Sequence, residues 1–457
     1  MRVRKNVYDL PAGDMTLEWY GKAVTAMKAL PRTNPRSWEY QAAVHGTVGN
    51  VPADAAKFWQ QCQHGSSFFL PWHRMYLLHF ERIVESHIVA LGGPANWALP
   101  YWNYSRDDQA RALPPAFLGA TLANGQPNPL YVAQRRADAN KGSRFLQDAD
   151  VDLRAALFAE PTTDGFFGGE AADHSGGEFG WLEGTVHNII HGRIGGMMGD
   201  PDLAALDPIF WLHHCNIDRL WDVWCARDPG NTNLTSAFWR SGKFDFHDSA
   251  GNALTMQTVD VLQGAVDYEY DDISDPFAVP GIAGAQPTPM ASSGSKELVG
   301  ATTAPIELGD QTIAHDVPTP VSPQAFAAAG VPAGLGPPAG PPSKLVKRAI
   351  LRLEHVTSAA VCPIYDVYVN LPSAPTPAQH KDHFAGRVAM FGIPQASSPS
   401  GQHAGSGQDF SLDITKLYHR LADAGGISAS SLRVSFEPVD PEPGTKVTVG
   451  RISLYFA

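Results

Sequence analysis

The chain has 457 residues, 44% of them hydrophobic, and a formal net charge of −12. That is too long for one ordinary compact domain and apolar enough to fill a large core, so two domains are expected and wholesale disorder is not. The acidic balance repels phosphate backbones and anionic lipid, and no apolar run approaches the roughly 20 residues of a bilayer span, so neither nucleic acid nor membrane is an expected partner.

The opening stretch, MRVRKNVYDLPAGDM, carries charge but no apolar h-region. It does not read as a secretory signal, and a cytoplasmic location is expected. The four cysteines, Cys62, Cys215, Cys225 and Cys362, are too scattered for a disulfide framework and form no CxxC zinc knuckle. Histidine is the unusual count, at 17.

Residues 1 to about 290 read as mostly helical. His45, in AAVHG, falls near a helix end, and His64 lies in a connection nine residues before His73. The segment PWHRMYLLHFERIVESHI predicts a helix over 72–91. Pro71 suits its first turn, and His73, Leu77, Phe80 and Val84 form one inward stripe. A single histidine on such a stripe is most often a satisfied core residue, so its meaning depends on its company. In LEGTVHNIIHGRIGG, His187 and His191 stand one turn apart on one face, the spacing that lets one helix give a metal two ligands. The glutamate of HExxH is missing, which argues against a zinc protease. Glu183 precedes His187 by four residues, and its plain reading is a helix cap.

A second helix is predicted over 207–224, in DPIFWLHHCNIDRLW. His213 and His214 are adjacent, so they point about 100° apart on a helix. His214 shares its face with Phe210, Ile217, Asp218 and Trp221, and His213 is read as a supporting residue. The result is three plus three imidazoles without a carboxylate or thiolate. Three neutral ligands leave an open coordination position, the mark of a reactive site, and copper, zinc, iron and nickel all suit imidazole.

Residues 317–344 are rich in Pro, Gly and Ala and read as a loop or linker. Beyond them the period changes to that of strands. Tyr365, Val367, Val369 and Leu371 share one face, Leu432, Val434 and Phe436 alternate with polar neighbours, and residues 447–456 alternate with a phase slip at Gly450–Arg451 that predicts a bulge. A further strand is expected at about 304–316. Residues 291–457 are thus expected to form an all-β domain. No internal repeat is visible.

The FLPWHR stretch around His73, LPYWNY at 99–104, the HNxxH segment and DPIFWLHHxxIDRLW together resemble the tyrosinase, catechol oxidase and haemocyanin family of type 3 copper proteins, over about residues 40–225. The resemblance implies a mainly α protein: a dicopper four-helix-bundle catalytic domain (1–290), followed by the all-β, sandwich- or barrel-like C-terminal domain. It implies two copper ions, one on His45, His64 and His73, the other on His187, His191 and His214. The activity implied is ortho-hydroxylation of monophenols and oxidation of o-diphenols to o-quinones, with phenolic small molecules and O2 as partners. A catechol oxidase or o-aminophenol oxidase is the alternative, and an O2 carrier fits less well because animal carriers are very large assemblies. A homo-oligomer is allowed.

Further roles follow from the same resemblance. Cys62, two residues before His64, is placed to form a thioether to that ligand, as in fungal and plant relatives. Tyr268-Glu269-Tyr270 looks like the mark that closes the catalytic domain, with Arg4 a candidate to stack on it. Asn188 and Glu183 are similar to a pair that holds a water serving as base, which favours monophenol hydroxylation; Glu178 is the rival for the acidic role. Asp218 is a candidate partner for a ligand imidazole. YDVYVN at 365–370 and HFAGRV at 383–388 look like segments of the plant enzymes' C-terminal domain. Such domains insert a plug side chain over the coppers, here expected from Val361–Tyr365, with Ile364 and Tyr365 as candidates.

Overall fold

The computed structural model describes residues 1–162, 165–169, 178–278, 297–319, 346, 348–359, 363–399, 405–427, 430–441 and 443–456. They fall into two units: residues 1–172 with 180–287, and residues 173–179 with 288–457. Most of the Pro-rich stretch, along with Val361 and Cys362, lies outside the described residues.

In the first unit, helices α1 (Thr16–Lys28), α2 (Trp38–His45), α3 (Phe69–Ala90), α4 (Arg154–Leu157), α5 (Asn188–Ile194), α6 (Ile209–Arg227) and α7 (Ala237–Arg240) surround one aromatic core. The Ser37 side chain starts α2 by accepting from the Tyr40 amide, which satisfies one of the donors a helix start leaves open. Helix α3 carries Pro71 in its first turn and is buried along most of its length. Trp72, Trp211, Trp221 and Trp224 are fully buried in this core. Strand β1 (Arg2–Arg4) pairs in parallel with β4 (Tyr268–Tyr270), and β2 (Lys243–His247) forms a hairpin with β3 (Ala253–Gln257). The Arg4 guanidinium lies 3.5 Å over the Tyr268 ring and donates to the Tyr270 hydroxyl at 3.0 Å.

Asp218 departs from expectation. It does not support an imidazole but accepts from Arg74 Nε (2.5 Å), Arg4 Nη1 (3.3 Å) and the hydroxyls of Tyr268 (2.6 Å) and Tyr270 (2.5 Å). Burial pushes its pKa up, but Arg74 and Arg4, aided by the two hydroxyls, outweigh that and hold it below the usual carboxylate range. Four residues beyond His214 on α6, it faces the closing tyrosines instead of the histidines.

The second unit is built on two antiparallel sheets. One has the order β10 (Phe384–Ala389), β9 (Ile364–Val369), β12 (Ser431–Pro438), β7 (Ile313–Pro318). The other runs β11 (Gln408–Asp413), β8 (Ala349–Thr357), β13 (Val447–Phe456), β5 (Glu297–Ala301), with β6 (Ile306–Leu308) also paired to β13. Tyr365, Val367, Val434 and Phe436 from one sheet share a core with Leu351, Leu353, Val449 and Ile452 from the other, the layering of a β-sandwich. The stretch at 304–316 forms two strands, β6 and β7. The bulge predicted at Gly450–Arg451 is absent: β13 keeps one register on β8 from Thr448↔Thr357 to Phe456↔Ala349. The irregularity sits in the partner strand. His355 adopts a positive φ of 54°, and a Cβ on Gly450 would lie 2.9 Å from the His355 Cβ, so glycine makes room for that kink. Among the described residues, no helix is long and apolar enough to cross a membrane.

Candidate metal centre

Four helices and two connections bring the predicted histidines together. His45 ends α2, His73 opens the second turn of α3, His191 is on α5 and His214 on α6. His64 comes from the connection before α3. His187 closes a π-helical turn, Glu183–His187, that leads into α5. Single π turns recur at functional sites, and this one sets Glu183 and His187 on a path that a regular helix would not follow.

Two donor sets result, each with ligand atoms within 4.8 Å of one another: His45, Cys62, His64 and His73, and His187, His191, His213 and His214. The sets adjoin. The His73 and His214 rings stack at 4.4 Å and 15°, and the His64 and His187 centroids are 5.5 Å apart. Phe210 packs at 4.9 Å from His45 and 4.1 Å from His214, while Phe69 packs at 4.6 Å from His73 and 4.8 Å from His187. Apolar rings therefore separate the donors from water.

Whether these rings suit metal ions is decided by their other nitrogens. Nδ1 of His45 lies 2.9 Å from Pro201 O, that of His73 2.8 Å from Phe69 O, that of His187 2.8 Å from Asn188 Oδ1, and that of His191 2.7 Å from Met198 O. An oxygen at Nδ1 takes the ring proton and leaves the Nε2 lone pair for a metal. Nε2 of His45 is buried without a hydrogen-bond partner. Nε2 of His191 and of His214 face each other at 3.3 Å, as two ligands of one ion would. Burial pushes His45 down to about 4 and His191 to about 3, and pushes His73, His187 and His214 well below the usual imidazole range. All are neutral at pH 7, the form that ligates. The residues fit a pair of imidazole-bound ions.

A pH dependence follows. The unfolded chain protonates these histidines below about pH 6.5, whereas their folded pKa values are lower. Stability of the metal-free protein is therefore intact above pH 6.5 and falls as pH drops from there towards about 4. A thermal melt series on copper-stripped protein should show this slope; a flat profile between pH 7 and 4.5 would refute it.

Three candidates are placed differently from expectation. His213, set aside as supporting, is fully buried with both ring nitrogens unpartnered, and its ring stacks on His187 at 5.3 Å and 23°. The packing of its helix against the π turn brings it into the second set despite its 100° offset from His214. Glu178, the rival acid, belongs to the second unit, where it forms a bridge with Asp409, accepts from Ser411 at 3.2 Å and pairs with Arg352 at 3.4 Å. Its rival Glu183 is 1% exposed, and its Oε1 accepts from the Gly65 amide, next to His64, at 2.9 Å. Tyr365 is no plug. It is fully buried in the core of the second unit and its hydroxyl donates to Gly309 O at 2.8 Å. Ile364 projects from the other face of β9, with Asp366 and Tyr368.

Cys62 Sγ lies 3.5 Å from Nδ1 and 3.4 Å from Nε2 of His64. Burial holds its thiol well above the usual range, so it is protonated in the metal-free protein and a poor thiolate ligand. Sequence reasoning missed the carbonyls of Met198 and Pro201, through which one short loop orients a histidine of each set. The doubled Gly195-Gly196 after His191 was the available signal. Both take positive φ, and a Cβ on Gly196 would lie 1.9 Å from Gln134 O.

Comparison with known proteins agrees with this geometry. Residues 35–227 match the family model described as the common central domain of tyrosinase, and residues 295–457 match a family described as a domain of unknown function. The chain is 35% identical to a tyrosinase of Hahella sp. (strain CCB-MM4), over 100% of this chain and 99% of that one. It is 28% identical to the chloroplastic polyphenol oxidase of Malus domestica, over 64% of this chain and 54% of the other. The solved structure of latent apple tyrosinase matches with a TM-score of 0.65 at 25% identity, covering 100% of this chain and 97% of that one. With its helical core, its C-terminal sheets and two buried histidine sets, the chain belongs to the tyrosinase family of dicopper phenol oxidases.

Proposed function

We propose that this enzyme hydroxylates monophenols as well as oxidising o-diphenols, with one copper held by His45, His64 and His73 and the other by His187, His191 and His214. In this reading α2, α3, α5 and α6 are the four-helix bundle around the metals. When bound, the copper pair supplies dioxygen activation; the chain's own residues orient the ring, exclude water and take the phenol's proton.

The observation that carries the proposal is a pair of buried polar atoms without hydrogen-bond partners, Glu183 Oε2 and Asn188 Nδ2, on the turn and helix that bear His187. A phenol of pKa about 10 must lose its proton to bind copper well. Burial, only partly offset by the Gly65 amide, pushes the Glu183 carboxyl well above its usual range. That makes it a stronger base than a surface carboxylate, while nearby metal charge favours its ionised form. Asn188 also fixes the tautomer of His187, so it acts on both proton and ligand.

The test compares tyramine with dopamine turnover in Glu183→Gln, Asn188→Asp and Asn188→Gly, with metal analysis of each. The wild type should hold about two coppers per chain and turn over both substrates. Glu183→Gln should lower the tyramine-to-dopamine ratio by on the order of 10²-fold with copper retained. Asn188→Asp keeps an acceptor for His187 and should hold copper better than Asn188→Gly. An unchanged ratio in all three variants would sink the monophenolase role, and a wild type inactive on tyramine would leave diphenol oxidation alone.

A further inference from the structure

His79 lies six residues beyond His73 on α3, about 9 Å further along the helix axis. It belongs to neither histidine set. Its side chain is 4% exposed, its Nε2 is 2.9 Å from Met256 Sδ on β3, and its Nδ1 is buried without a partner. The bare pair is incompletely satisfied in either tautomer. With the proton on Nδ1, a buried donor has no acceptor; with it on Nε2, a buried acceptor has no donor. A metal on Nε2 would keep the proton on Nδ1, so the orphaned nitrogen only sets the tautomer, and it is the buried imidazole–thioether pair that offers a ligand site.

The surroundings hold the pair in place. Phe244 and Phe246 of β2 stand opposite Met256 and Leu254 of β3, and the Phe246 ring lies on His79 at 5.5 Å and 24°. Met256 is half-buried. Two charged groups bear on His79, Arg82 opposing a cation and Asp248 favouring one. Arg82 is offset by Asp267 at 3.0 Å. His247 also bears on His79, but alternation along β2 puts it on the hairpin face opposite Met256.

We propose that His79 Nε2 and Met256 Sδ form a site for one soft monovalent ion, Cu(I), outside the dinuclear centre. Imidazole with a thioether is a donor set that selects Cu(I) over hard divalent ions. Bonds of about 2.0 Å to nitrogen and 2.3 Å to sulfur, as at zinc, in a trigonal site require the pair to open by about 0.8 Å from its 2.9 Å contact, which the flexible Met256 side chain accommodates. The two protein donors leave room for a further ligand from solvent or from a copper carrier. Its place on the helix that bears His73 makes the site a holding point for a cuprous ion next to the first histidine set.

The test uses the full, copper-loaded enzyme. Under anaerobic conditions, wild type and Met256→Leu are titrated with Cu(I) against a chromophoric Cu(I) chelator. Wild type should retain one more Cu(I) per chain than the variant, while both keep the dinuclear pair and the same dopamine turnover. Crystals soaked in Ag(I) provide a second measurement that does not depend on the variant folding: anomalous density is expected between His79 and Met256. Equal Cu(I) counts in the two proteins, or silver found only at cysteines, would overturn the proposal. Neither result bears on the assignment of the two main coppers, which the metal content of untreated enzyme tests.

Discussion

Replacing Asp218 with alanine is expected to destabilise the first unit by about 3–5 kcal/mol, the cost of breaking a buried ion pair by deleting one partner. The side chains of Arg4 and Arg74 are fully buried and that of Asp218 is 2% exposed. Without Asp218, Arg4 keeps Glu81 at 2.8 Å and Arg74 keeps Asp222 at 2.8 Å, but the Tyr268 and Tyr270 hydroxyls lose their acceptor inside the core. Asp218→Asn keeps the shape and should fall between wild type and alanine. The sign of the pH effect follows from the lowered pKa. The stabilisation is complete above the unfolded value of about 3.9 and is lost as pH falls through the lower folded value. The difference between wild type and variant should therefore be constant at neutral pH and shrink below pH 4. Urea unfolding followed by helical circular dichroism measures it; a difference below about 1 kcal/mol at pH 7 would show that the hub is not a stabilising unit.

Gly46→Ala should cost copper and not fold. Gly46 follows His45 with an extended backbone (φ −162°) that any residue adopts, so the constraint is space. A Cβ there would lie 2.6 Å from Pro201 O and 2.8 Å from Asp202 Cα. Pro201 O is the atom that holds His45 Nδ1 at 2.9 Å. Moving it aside loosens the ring's orientation, and losing such a partner typically costs 10–100-fold in metal affinity. Gly199 sits in the same loop, and a Cβ there would meet nothing within 4 Å, so Gly199→Ala is the matched control. Copper retained after dialysis against graded chelator should fall for Gly46→Ala and hold for Gly199→Ala. Equal retention in the two would show that the loop does not position His45.

Local patterns carried much of the architecture. The stripe from His73 to Val84 and the proline before it located α3, and the change of period after residue 345 located the strands. What escaped was set by long-range partners. No local signal distinguishes a π turn from an α turn at Glu183–His187, since the neighbouring packing decides it. Glu178 looked equivalent to Glu183 until the pairing of Glu178 with Asp409 carried it to the second unit. His213 was discounted on helix face and family pattern together, and neither takes account of what packs against the other side of α6. Asp218 was assigned to the wrong partners because Arg4 and the closing tyrosines are distant in sequence. The carbonyls of Phe69, Met198 and Pro201 are written in no residue's identity, so no motif could reveal them.

Main-chain contacts of this kind limit how such a centre can change over generations. Of the four Nδ1 contacts to oxygen, three end on main-chain carbonyls, which no single codon change removes, and only that of His187 ends on a side chain, Asn188. Three imidazoles are thus locked by the path of the chain and inherited with the fold. The fourth can be altered by substituting the contacting residue itself, which makes position 188 a place where selection can retune reactivity without moving the main chain.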